Sequence, residues 1–175
     1  MRQSIQDSFT KSVKLADLQL WVAACTEDDR CFLEFWAIAK NPQQKYAWRA
    51  LWLIEHAIKK KETLLDLILD ELYILLVQTN SHSILRMGLK LVILRPLTST
   101  DIVGQLLNKC EEILLDTKMP IATRANSLQF IFEFCKTEPD FINELEVLLD
   151  HIAEQETSAG MKSRVRLIRK ALIKL

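Results

Sequence analysis

The side chains best suited to chemistry in this chain are few and scattered. His56, His82 and His151 lie far apart, with no H-E-x-x-H pair and no Cys/His spacing that would hold a metal. The neighbouring acids Asp28–Asp29 and Glu111–Glu112 would point about 100° apart on a helix, so neither makes a working carboxylate pair. There is no glycine-rich phosphate loop and no G-x-S-x-G elbow, and 3 glycines in the whole chain leave little room for either. Cys25, Cys31, Cys110 and Cys135 form no C-x-x-C and sit among apolar neighbours, which reads as buried free thiols. No metal, no cofactor, no catalytic residue and no enzymatic activity is expected from this inventory.

What remains is the chemistry of recognition, and it gathers in two places. The apolar positions Ala50, Leu51, Ile54 and Ala57 centre nearly opposite Trp52 on a helical wheel. Trp48, Trp52, Glu55 and Lys59 therefore share the other face, flanked by Lys45, Arg49 and His56. Two readings of that face stand open: a recognition patch of indoles beside cations, or rings packed laterally on the preceding helices. The second place is the C-terminal end. Residues 162–174 carry Lys162, Arg164, Arg166, Arg169, Lys170 and Lys174 with no acid, while residues 138–156 carry 7 acids and no Lys or Arg. Arg164, Arg166, Arg169, Lys170 and Lys174 form a basic patch suited to an acidic partner or a nucleic-acid backbone. The favoured reading is that the two segments are adjacent helices whose charges partly face each other, giving a polar terminal cap.

The elements that must position these residues are helices. At 175 residues, 49% hydrophobic and 26% charged, the chain suits one globular domain. With 23 basic and 23 acidic side chains it has no overall pull toward nucleic acid or anionic membrane. The opening MRQSIQDSFTKS lacks an apolar core, and the run LLDLILDELYILLVQ is interrupted by Asp66, Asp70 and Glu71, so neither a leader nor a membrane span is expected. A cytoplasmic location is expected. Apolar residues recur at three and four, as in Leu15, Leu18, Trp21, Val22 and Cys25, then Phe32, Phe35, Trp36 and Ala39. The spacing predicts about nine helices, near 12–26, 28–40, 43–60, 62–79, 82–95, 100–117, 120–136, 139–155 and 159–174, and an all-α fold. Start signals are expected at TEDD (26–29), NP (41–42), TSTD (98–101), TEPD (137–140) and TSAG (157–160).

Internal repetition is more telling. YAWRALWLIEHAI, SILRMGLKLVIL, ATRANSLQFIFEF and KSRVRLIRKALI align on Arg49, Arg86, Arg124 and Arg164, which lie 37, 38 and 40 residues apart. Each arginine stands near the start of the second helix of a pair, and over residues 28–175 the chain resembles the HEAT/armadillo-like α-solenoid family. The resemblance implies a single domain: an N-terminal tail and capping helix at 1–27, then helix-pair repeats at 28–60, 61–96, 97–136 and 137–175. It also implies a right-handed superhelix whose second helices line a concave face. The arginines then read as ties to neighbouring repeats, with a row of phosphate-binding charges as the alternative.

One stretch points elsewhere. DTKMPIATRANS (116–127) is similar to the loop of the adenylosuccinate lyase/fumarase family, with its Met-Pro, basic residue and asparagine. Arg124 stands four residues after Pro120, against two in that signature, and Asp116, Thr117 and Lys118 occupy the place of the serine. The stretch reads better as a helix end, a short turn and a Pro-started helix. Function is accordingly expected to be non-catalytic binding of a protein partner on the concave face. The alternative is nucleic-acid binding of the kind the resemblance to HEAT-like alkylpurine DNA glycosylases implies, and a lyase is the remote third.

Overall fold

The structure, a computed structural model, describes residues 15–41 and 43–174. Among these residues there are nine α-helices, two short 3-10 turns and no strand, as the periodicity predicts. The helices are α1 (Leu15–Glu27), α2 (Asp29–Ala39), α3 (Ala47–Lys60), α4 (Leu69–Gln78), α5 (His82–Val92), α6 (Asp101–Leu115), α7 (Ile121–Thr137), α8 (Ile142–Gln155) and α9 (Ala159–Leu172). The expected start at residue 12, and Pro42 of the NP signal, lie outside the described residues. No described helix is long and apolar enough to cross a membrane.

Several boundaries differ from the expected ones for physical reasons. The segment 62–79 is not one helix: Glu62–Leu67 winds as a 3-10 turn, and Ile68 leaves helical geometry at φ −129° before α4 begins. The Ile68 N–H closes this turn on Leu65 O at 3.1 Å, three residues back, and four-residue bonding resumes with the Leu72 N–H on Ile68 O at 2.8 Å. α3 starts at Ala47 because the preceding residues spend their backbone bonds in turns: Asn41 Oδ1 accepts from the Gln43 N–H at 3.0 Å, and Gln44 and Ala47 donate to carbonyls three residues back. Of the hydroxyl caps, Ser158 accepts from the Met161 N–H at 3.3 Å as expected. Thr26 does not cap α2; Asp28 does, accepting from the Arg30 N–H at 2.9 Å. Thr137 closes α7 rather than opening the next helix, and its hydroxyl donates to Leu97 O at 2.6 Å and Phe134 O at 2.9 Å.

The chain divides into two compact units, Met1–Leu75 and Leu76–Leu175. In the first, α3 is covered by α1, α2 and the 3-10 turn together. Phe32, Phe35, Leu51, Ile54, Ile58, Leu64 and Leu65 fill the interior, each essentially without solvent contact. Trp36 is 2% exposed and its indole N–H donates to the Glu71 carboxylate, which Lys40 also reaches at 2.8 Å. Those two donors hold the Glu71 carboxyl below its ordinary value. A ring buried in apolar surroundings thus keeps its single donor satisfied.

In the second unit α7 is the central helix, packed against α5, α6, α8 and α9. Its buried positions run round most of its circumference: Thr123, Arg124, Ser127, Leu128, Phe130, Ile131, Phe132, Phe134 and Cys135. Arg124, the third rung of the arginine ladder, is 4% exposed. Its Nε donates to Leu114 O at 2.9 Å, at the end of α6, and a terminal guanidinium nitrogen lies 2.7 Å from Glu156 Oε2. Glu156 sits just past α8, and its other oxygen accepts from the N–H groups of Thr157 and Ser158 at 3.0 and 2.8 Å. Burial by itself would push this carboxyl up, but the Ser158 hydrogen bonds and Arg124 outweigh it and hold it below its ordinary value of 4.5.

Removing one partner of such a pair strands a charge in the interior. Arg124→Met is expected to lower the unfolding free energy by about 3–5 kcal/mol in a urea titration at neutral pH, and Arg124→Met with Glu156→Leu to recover most of that loss. Because the folded carboxyl titrates below its unfolded value, its contribution is complete above the ordinary value of 4.5 and is lost as pH falls through the lowered folded value. Glu156→Gln should therefore flatten the acid side of the stability profile while leaving the alkaline side unchanged.

Candidate functional site

The first turn of α3 gathers the exposed aromatic chemistry of the first unit. The turn residues 43–46 lead into α3 and deliver Lys45, Tyr46 and Trp48 close together in sequence. The Arg49 guanidinium lies 4.5 Å from the Tyr46 ring centroid and 5.3 Å from that of Trp48, and Lys45 Nζ is 5.7 Å from the Tyr46 ring. These are cation–π distances, and a stacked arginine holds both rings in place without covering them. Trp48 remains 40% exposed.

One turn further along, Trp52 is half-buried and meets His56 edge-on, with ring centroids 4.8 Å apart and planes at 70°. His56 Nδ1 lies 2.8 Å from the Trp52 carbonyl oxygen, so the imidazole is fixed by the helix that carries it. The two indoles therefore differ: Trp48 is presented, while Trp52 is partly enclosed. Glu55 does not share their open face. It is 7% exposed and receives Lys59 Nζ at 2.9 Å. The wheel placed it outside because it counted Ala50, Leu51, Ile54 and Ala57 as the whole apolar face. With α1, α2 and the 3-10 turn all against α3, Leu53 and Ile58 are buried too and the covered arc extends to Glu55.

The C-terminal basic residues are only partly available. Arg164 donates to Gln129 Oε1 of α7 at 2.8 Å, and Arg169 pairs with Asp150 of α8. Arg166, Lys170 and Lys174 are exposed. Acidic α8 and basic α9 thus meet through a direct ion pair, as adjacent helices of opposite charge should. The arginine ladder is not a row of equivalent groups: Arg49 stacks on rings, Arg86 is exposed, Arg124 is buried and paired, and Arg164 binds α7. A buried Arg124 is not placed to meet phosphate.

No thiol is set up as a nucleophile. All four cysteines are free, and burial pushes Cys110 up to about 12 and Cys135 to about 11. Cys25 and Cys31 approach to 3.9 Å between sulfurs, and burial raises both. Thiolate, the reactive form, is therefore scarce near neutral pH.

Sequence reasoning missed an apolar groove in the second unit, of about 400 Å³, between α6 and α8 over the end of α7. Its signal was present in Phe141, Leu145, Val147 and Leu148, more apolar residues than one buried face of α8 needs.

Comparison with known proteins adds one finding. A family model described as a HEAT repeat domain matches residues 5–172, nearly the entire chain. No curated protein matches, and no solved structure does.

The exposure difference among the tryptophans is measurable. Trp48→Phe is expected to remove the emission most readily quenched by acrylamide, and Trp36→Phe the emission most resistant to it. Equal quenching in the two variants would mean that Trp48 is covered.

Proposed function

We propose, from the premise that the chain belongs to the HEAT repeat domain family, that it is a non-catalytic scaffold that binds a protein partner. The observation that carries this reading is Trp48, a large ring left 40% exposed, with the Arg49 guanidinium 5.3 Å from its centroid and 4.5 Å from that of Tyr46. Tryptophan, tyrosine and arginine are the side chains enriched among residues that dominate binding energy. Trp48 is the anchor in this reading. Arg49 and Lys45 supply cations beside it, and half-buried Trp52 extends the apolar floor. Glu55 and Lys59 satisfy each other at the edge.

The charge balance favours protein over nucleic acid as the partner. The chain carries equal numbers of acids and bases, and two of the five C-terminal basic residues are already engaged by Gln129 and Asp150. A backbone-binding protein gains affinity by neutralising several phosphates at once, which needs a row of unengaged cations.

A photo-crosslinker at position 45 tests the reading. It is expected to capture a protein from the native cell extract, and the purified pair should lose about tenfold or more in affinity with Trp48→Ala. Thermal unfolding of the variant should stay within a few degrees of the parent. Capture that is indifferent to Trp48, or a duplex DNA affinity at low salt that Arg166→Ala and Lys170→Ala abolish, would overturn it.

A further inference from the structure

In the second unit the second helices α5, α7 and α9 pack against one another in series, whereas the first helices α6 and α8 stand apart across the groove. Its floor is Ile131, Phe134 and Cys135 of α7, and its walls include Leu107 and Leu115 of α6 and Leu145 and Leu148 of α8. Phe141 closes one end, its ring 5.3 Å from that of Phe134. The groove is open to water on the α8 side, where Val147 is 71% exposed, and Leu115 and Phe141 are each exposed by more than two fifths. A contiguous apolar surface of this kind is a place where something docks.

The rim identifies the chemistry of the occupant. Its charged residues are Glu111 on α6 and Glu144 on α8, with His151 beside them, and among the described residues no lysine or arginine lines it. α8 itself carries Glu144, Glu146, Asp150 and Glu154 and no lysine or arginine, and of these acids Asp150 is paired with Arg169 of α9. Two cations near in sequence are engaged elsewhere: Lys109 donates to the carbonyls of Leu76, Val77 and Thr79, and Lys136 pairs with Glu133, while Lys118 is exposed past the end of α6 and does not line the groove. Burial pushes the Glu111 carboxyl up from its ordinary value, and no cation of the described residues offsets that rise.

We propose that the groove between α6 and α8 is a docking site for an amphipathic basic helix of a partner protein. Its apolar side chains would enter between Leu115, Phe141 and Leu148, and its Lys or Arg side chains would meet Glu111 and Glu144. Helix-in-groove binding places apolar anchors at three- and four-residue spacing, which suits an open apolar groove walled by two helices. The rim disfavours the other occupants. A second copy seated face to face on the same groove would set acid against acid, and an anionic lipid surface would be repelled. The site is in the other unit from Trp48, so it stands or falls independently of the α3 patch.

The test uses the full chain and a fluorescein-labelled Leu/Lys amphipathic helix of about four turns, read by anisotropy at low salt. Controls are a Leu/Glu helix of the same pattern and a Ser/Lys peptide of the same charge. Binding of the Leu/Lys helix alone is expected, weakened about tenfold by Glu111→Gln with Glu144→Gln and by Val147→Lys at its exposed position, which sets a like charge against the peptide. Trp48→Ala should leave it unchanged. The proposal is overturned if the Leu/Glu or Ser/Lys peptide binds as well, or if the groove variants bind the Leu/Lys helix like the parent. It is also overturned if sedimentation shows a dimer that Val147→Glu dissolves, which would make the occupant a second copy.

Discussion

A guanidinium buried in the first turn of α7 constrains the second unit more than any other group. Arg124 is 4% exposed, so its charge is tolerable only with partners in fixed places. It finds one at the end of α6 and one just beyond α8, which means that three helices must stop and start where they do for a single side chain to be accommodated. Hydrophobic contact can slide by a fraction of a turn at small cost. A desolvated ion pair cannot, and it therefore sets the register in which the apolar faces of α6, α7 and α8 close.

The other polar ties of this unit follow the same plan at lower stakes. Asn126 donates to Arg86 O across 40 residues, Thr137 to Leu97 O across 40, Arg164 to Gln129 across 35, and Lys109 to three carbonyls near the end of α4. Each spans about one repeat period. Many of the acceptors are carbonyls at or near helix ends, where the helix itself supplies no donor. The repeats are thus joined by side chains that complete the backbone bonding of their neighbours, with apolar burial between them.

Much of the architecture was legible because helical periodicity and a recurring arginine are local properties of a string. The helices follow from spacing, and the reading of the ladder arginines as ties to neighbouring repeats fits Arg124 and Arg164, although which group each would meet was not legible. Glu55 shows where that reasoning stops: its burial depends on how many neighbours crowd α3, which no wheel of α3 alone contains. The 3-10 winding at Glu62–Leu67 is likewise invisible to a wheel, since buried Leu64 and Leu65 would both fit the apolar arc of an ordinary α-helix. At the candidate patch, the sequence placed Trp48 and Trp52 together but could not rank them, since the contact of Trp52 with His56 is a matter of rotamers. The groove was hidden for a related reason: the surplus of apolar residues at Phe141, Leu145, Val147 and Leu148 is visible in the sequence, but the separation between α6 and α8 that makes them line a groove is not.

Repeat proteins are usually regarded as modular, so that a terminal unit can be trimmed or exchanged without disturbing the interior of the unit before it. The position of Glu156 argues otherwise here. The carboxylate that neutralises Arg124 belongs to the link between α8 and α9, one pair further along the chain. A protein shortened after α7 would keep the helix and its arginine but lose both the counter-charge and two of the helices that pack against α7. The link that follows α8 is in this respect an internal part of the helix pair before it.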